Sequence, residues 1–114
     1  DATPAAFQLR MASSAASRTK WLLHYQGGAW CDPELPRETP LDAGYAMDSC
    51  YARSFTDLGG SGGYDQYMSS SDAARWFDGI LAADPELNPL LHDWNAVLFR
   101  YCDGGSFSGR NLSA

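Results

Sequence analysis

Lys20-Trp21-Leu22-Leu23-His24-Tyr25-Gln26-Gly27-Gly28-Ala29-Trp30-Cys31 joins a short apolar run to a glycine-rich loop that closes on an aromatic residue and a cysteine. Residues 21–25 are apolar or aromatic apart from His24, which predicts a strand buried on both faces. Glycines after such a strand let backbone approach a reacting carbonyl with no Cβ in the way. Backbone N–H groups in a turn of this kind can hold an oxyanion. The stretch therefore suits half of an acyl-transfer site. Gly-Gly turns are common, however, and the loop taken alone reads first as an ordinary strand-to-loop turn.

Upstream, residues 6–10 alternate well enough for a first strand, and the Ser/Ala-rich segment 11–19 reads as a turn or loop. Downstream, residues 32–40 carry three prolines and read as irregular. A short helix around Cys50 fits within residues 42–55, and residues 58–71, rich in Gly, Ser and Tyr, read as a surface loop. Ala73, Trp76, Phe77, Ile80 and Leu81 are spaced for a helix over 72–83, capped by Ser71 or Asp72 and ended by Pro85 and Pro89. Residues 95–101 form a third nearly continuous apolar run, hence a third strand.

The bulk properties narrow the class. With 114 residues, 45% hydrophobic and 19% charged, the chain reads as one small globular domain. A net charge of −6, with Lys and Arg scattered singly, argues against nucleic acid or an anionic membrane surface as partner. No apolar run approaches the roughly 20 residues of a membrane span. The opening Asp1-Ala2-Thr3-Pro4 has no initiator Met and no charged leader, so a processed or trimmed N-terminus is expected. Asn111-Leu112-Ser113 is an N-glycosylation sequon. Cys31, Cys50 and Cys102 leave an odd cysteine, which in a secreted protein means a free thiol or a bond to another chain. Their spacings do not read as a zinc site.

Other motifs carry less chemistry. Gly59-Gly60-Ser61-Gly62-Gly63 lacks the third glycine of a dinucleotide fingerprint and the Gly-Lys-Ser/Thr of a phosphate loop. Gly104-Gly105-Ser106-Phe107-Ser108-Gly109 is not G-x-S-x-G, so a polar loop at a strand end is the simpler reading. Its serines can still line a cleft at the carboxyl end of the sheet. His24 reads as a core histidine, and His92 falls in a loop. Asp103 follows a strand end, where catalytic acids occur, although surface aspartates are commoner. No Ser/His/Asp set can be assembled.

The segments Asp1-Ala2-Thr3-Pro4, Trp21-Leu22-Leu23-His24, Gly27-Gly28-Ala29-Trp30-Cys31, Ser49-Cys50, Gly79-Ile80-Leu81, Asn88-Pro89, Trp94-Asn95 and Arg100-Tyr101-Cys102-Asp103-Gly104-Gly105-Ser106-Phe107-Ser108-Gly109 occur in one order. In that order the chain resembles the pectinacetylesterase/Notum family of secreted serine carboxylesterases, from residue 1 to about 109. The resemblance implies an α/β-hydrolase fold, a mostly parallel sheet flanked by helices, with a Ser-Asp-His triad and neither metal nor cofactor. Plant and microbial members of that family remove acetyl esters from pectin, and Notum removes a palmitoleate ester from Wnt proteins.

By the same resemblance, the Gly28 and Ala29 N–H groups form part of the oxyanion hole. Trp30 lies beside the acyl pocket, and Asp103 and Ser106 are candidates for substrate binding. Cys31 pairs with Cys50, and Cys102 pairs with a cysteine outside this chain. Ala29 stands where the family usually has a third glycine or Trp, and Gln26 where it often has Glu; a backbone donor tolerates both. The family's nucleophile, acid and base have no counterparts here. Residues 1–114 are therefore expected to be the N-terminal portion of a single hydrolase domain, incomplete without the downstream strands. The rest of the sheet then comes from the remainder of the protein or a second chain. The localisation expected is extracellular or cell wall, with acetylated polysaccharide as substrate. A non-catalytic structural or glycan-binding component on the same fold is the alternative, and a Notum-like lipid esterase a third reading.

Overall fold

The three apolar runs are strands in a computed structural model of the chain, which describes residues 4–32, 34, 49–65 and 67–107. In chain order the elements are β1 (Phe7–Arg10), β2 (Trp21–Tyr25), the helix α1 (Cys50–Arg53), the helix α2 (Ser70–Trp76) and β3 (Asn95–Phe99). Short 3₁₀ turns occupy Ala15–Ser17 and Gly79–Leu81. The described residues fall into two units. One gathers those of Asp1–Ala6, Gln26–Tyr64 and Arg100–Ala114, and the other Phe7–Tyr25 and Asp65–Phe99.

The second unit holds the sheet, in the order β1-β3-β2. β2 runs parallel to β3, with Leu23 opposite Val97 and Tyr25 opposite Phe99. β1 runs antiparallel to it, with Phe7 opposite Phe99 and Leu9 opposite Val97. The sheet is thus mixed, with one of its two pairings antiparallel, rather than mostly parallel as expected.

Opposed residues share a face. Leu22, Ala96 and Leu98 lie on one face, packed with Leu81, Trp76 and Phe77. Leu9, Leu23 and Val97, with Phe7, Tyr25 and Phe99, lie on the other. There Tyr25 and Phe99 stack at 4.8 Å. β2 is accordingly not buried on both faces. Trp21, Leu23 and Tyr25 are about half exposed (49–56%), and His24 is half-buried rather than core. The reason is that α2 and the following turns cover one face only.

Asn95 anchors this unit and is 1% exposed. Its Oδ1 accepts from the Ala12 N–H at 2.9 Å, while Nδ2 donates to the carbonyls of Arg18 at 3.0 Å and Lys20 at 2.8 Å. One amide side chain therefore ties both ends of the β1–β2 connection to the start of β3. Beside it, the Asp93 carboxylate accepts from Ser17 Oγ at 2.7 Å and Ser14 Oγ at 2.8 Å. Those bonds, Ser17's first, hold the Asp93 carboxyl below its ordinary range. Arg10 donates to the carbonyls of His92 at 2.6 Å and Leu81 at 3.3 Å, and burial lowers its pKa.

α2 is shorter than the expected 72–83 helix. It starts earlier, with Ser69 rather than Ser71 or Asp72 as its cap, Ser69 Oγ accepting from the Asp72 N–H at 3.2 Å. It also ends earlier, because Phe77 leaves helical geometry (φ −100°, ψ 67°) and Gly79 adopts φ +54°. Asp78 then opens the 3₁₀ turn by accepting from the Gly79 N–H at 2.7 Å. Pro85 and Pro89 lie beyond that boundary. β3 stops at Phe99, two residues short of the expected run.

In the other unit, α1 realises the short helix expected around Cys50. Residues 41–48, most of 32–40 and the sequon at Asn111 lie outside the described residues.

Candidate active site

The carboxyl ends of β2 and β3 lead into residues 26–31 and 100–107, which meet in the loop unit. Gln26 makes the first join. Its Oε1 accepts from Arg100 Nε at 2.8 Å and from the Tyr101 N–H at 3.1 Å. The Arg100 guanidinium lies 4.4 Å from the Tyr64 ring centre, and burial raises the Tyr64 phenol pKa against the opposing pull of Arg100. The Tyr64 hydroxyl donates to the carbonyls of Tyr101, at 3.2 Å, and Asp57.

Tyr101 is fully buried and lies beneath the glycine loop. A Cβ on Gly28 would sit 2.5 Å from its ring carbons, whereas one on Gly27 would meet nothing within 4 Å. Gly28 is therefore a packing requirement as well as a candidate donor. The Tyr101 hydroxyl donates to the Ala29 carbonyl at 2.9 Å and accepts from the Ser106 N–H at 3.4 Å. Arg53 Nη1, on α1, donates to the same Ala29 carbonyl. Among the described residues neither the Gly28 nor the Ala29 N–H has a hydrogen-bond acceptor. The loop thus directs its carbonyl inward to buried donors and leaves two N–H groups unengaged.

Cys31 ties this loop to two others. It is disulfide-bonded to Cys50, and its N–H donates to the Gly104 carbonyl at 3.0 Å. Asp32 and Ser49 add a parallel bridge, with the Cys50 N–H donating to the Asp32 carbonyl at 3.2 Å. Gly104 has φ +65° and lies so close that a Cβ there would be 2.7 Å from Cys31 Sγ. The turn that follows is tight. Asp103 accepts from the N–H groups of Gly105 at 3.0 Å and Phe107 at 2.7 Å, while Ser106 and Phe107 adopt φ +54° and +61°. Positive φ in successive non-glycine residues is strained.

Gly28, Ala29, Cys31 and Cys50 are thus brought together with Tyr101, Gly104 and the Ser106 backbone. Trp30 is exposed at 66%. Asp103 is exposed too, with its carboxylate engaged by its own turn. Cys102 carries a free, partly buried thiol. His24 lies in β2, in the sheet unit. His92 lies there too, its Nδ1 3.2 Å from the Asn88 carbonyl. Two cavities, of about 410 Å³ beside Arg10 and Phe77 and about 230 Å³ beside Thr56 and Gly60, include none of the expected site residues. Among the described residues no cluster of His, Cys, Asp and Glu could hold a metal, and no helix is long and apolar enough to cross a membrane. Sequence reasoning missed Arg53 and the supporting role of Tyr101. The only available signal for Arg53 was a basic residue three places after Cys50.

This parallel pair with a glycine loop after its first strand, extended by an antiparallel edge strand, is a fragment of an α/β-hydrolase fold. The solved structure of the Wnt deacylase Notum from Drosophila matches 97% of this chain and 26% of its own, with a TM-score of 0.64 and 27% identity. The chain belongs to the pectinacetylesterase family, whose model matches residues 1–113. It is 38% identical over 97 residues to pectin acetylesterase 5 and 34% identical over 96 residues to pectin acetylesterase 4, both of Arabidopsis thaliana. Those matches cover 85% and 84% of this chain but 18% and 19% of the relatives, so the chain spans less than a fifth of their length.

Proposed function

We propose that this chain is the N-terminal portion of a single-domain secreted serine carboxylesterase that removes acetyl groups from extracellular or cell-wall polysaccharide. Its part in that reaction is the oxyanion-hole loop. A serine from the remainder of the domain, or from a second chain, attacks the ester carbonyl. The carbonyl oxygen gains negative charge, and the Gly28 and Ala29 N–H groups receive it with one further donor near the nucleophile. Each such donor contributes about 3–4 kcal/mol to the transition state. Trp30 borders the acyl group, and Asp103 and Ser106 are candidates for substrate binding. The observation that carries the reading is the pair of N–H groups without an acceptor among the described residues, on a loop whose Ala29 carbonyl is held by Tyr101 and Arg53.

The partner in this reading is the remainder of the sheet, added beyond β2. Cys102, free within this chain, pairs with a cysteine outside it, and Asn111 carries a glycan. The likeness to the Wnt deacylase supports a second reading, a lipid ester of a protein as substrate. Hydrolysis assays on the full-length gene product separate the possibilities. Acetate release from acetylated pectin is expected. Cleavage only of long-chain acyl esters would favour the second reading. Glycan binding without hydrolysis of either ester would leave the non-catalytic alternative.

A further inference from the structure

We infer that Arg53 and Tyr101 are positioning residues that set the oxyanion loop by clamping the Ala29 carbonyl. The inference rests on the reading of Gly28 and Ala29 as oxyanion donors. Glycine loops have several accessible backbone arrangements, and a donor site needs one of them. The two peptide planes that flank Ala29 are the ones a clamp on its carbonyl can influence. Turning the Gly28–Ala29 plane over would force Ala29 towards positive φ, which its Cβ disfavours. Turning the Ala29–Trp30 plane over would carry the Ala29 carbonyl into the space where negative charge develops. That second motion would also drive Trp30 towards positive φ, which the Trp30 Cβ disfavours. The clamp adds to that barrier by holding the carbonyl oxygen itself.

The clamp has two arms from separate parts of the chain. Arg53 comes from α1 and is 3% exposed, and Tyr101 comes from the segment after β3 and is fully buried. Both donate to the one carbonyl oxygen. Rotating it away would break both of these hydrogen bonds at once, which is costly at buried groups. Each arm is itself braced. Cys31–Cys50 and the Cys50 N–H bond to the Asp32 carbonyl fix the start of α1. The Tyr101 ring is held beneath Gly28 and edge-on to Phe107 at 5.8 Å. Neither side chain is placed to touch substrate. Their effect passes through the direction of one peptide plane.

The test uses the full-length gene product, with p-nitrophenyl acetate as substrate and a boronic acid as tetrahedral mimic. Tyr101→Phe removes the hydroxyl and keeps the ring under Gly28. Arg53→Gly removes the guanidinium, which free guanidinium can replace. The expected result is a kcat lowered about tenfold by Tyr101→Phe and about a hundredfold by Arg53→Gly, approaching the loss of a donor itself. KM should stay within about twofold, boronate affinity should fall in parallel with kcat, and added guanidinium should restore part of the Arg53→Gly loss. Should Arg53→Gly fail to fold, Tyr101→Phe and Arg53→Lys decide by the same split. Unchanged kcat in the folded variants would overturn the clamp, as would a loss that follows thermal stability and ignores guanidinium. An inactive parent protein would instead overturn the esterase reading on which the clamp stands.

Discussion

Each unit is organised around one buried side chain after or at the start of β3, and the two do different work. Asn95 in the sheet unit bonds to backbone only, satisfying the groups of the β1–β2 connection. Tyr101 in the loop unit uses its ring as a floor for Gly28 and its hydroxyl as a link between Ala29 and Ser106. The sheet unit also has ladders and an apolar cluster, so Asn95 completes a structure that patterning already favours. The loop unit has only the four-residue α1 as a regular element among its described residues. Its backbone direction comes from single side chains, a disulfide and glycines at points of contact. Regular structure supplies the support, and the candidate chemistry sits where specific contacts replace it.

That contrast can be broken in four ways. The largest effect is expected from Asn95→Asp, which turns donors facing the Arg18 and Lys20 carbonyls into a buried charged acceptor. A loss above about 3 kcal/mol should appear in denaturant unfolding of the full-length gene product. A loss under about 1 kcal/mol would deny Asn95 its anchoring role. Next, a Cys31→Ala/Cys50→Ala pair opens a cross-link between residues 19 apart. A cost of about 3 kcal/mol is expected, with esterase activity falling more than the sheet's amide-exchange protection. Equal loss in both units would mean the loop has no separate stability.

Gly28→Ala follows, at about 1–3 kcal/mol from overpacking against Tyr101, measured as a fall in Tm with Gly27→Ala as the near-neutral partner. Equal tolerance of both substitutions would remove the ring-floor account. The smallest effect concerns Asp93. Its folded pKa is depressed by Ser17 and Ser14, so its contribution is present above the unfolded value of about 3.9 and is lost as pH falls through the lower folded value. A Tm profile from neutral to strongly acidic pH should fall more steeply for the parent than for Asp93→Asn. Parallel profiles would contradict the assignment.

The sequence was most informative where structure is periodic. Alternation and apolar runs placed β1, β2 and β3 to within two residues at either end. Periodicity overextended α2, since apolar spacing continues through Ile80 and Leu81 while Phe77 and Gly79 leave helical backbone. It also misjudged β2, because an apolar run does not say whether anything covers its second face. The order of short motifs brought out the glycine loop and the Tyr101–Phe107 turn together. It could not show that Arg53 reaches the Ala29 carbonyl, since a side chain gripping backbone 24 residues away leaves no repeat or spacing to read.

The outward face of the sheet has a practical consequence. Phe7, Leu9, Trp21, Leu23 and Tyr25 are all 47–63% exposed on two strands that each pair with β3 alone among the described residues. Such a surface is sticky, and an unpaired parallel edge is a template for other strands. Material comprising only these 114 residues is therefore expected to self-associate with rising concentration. A lysine at Leu23 is the gatekeeper to try first for soluble expression.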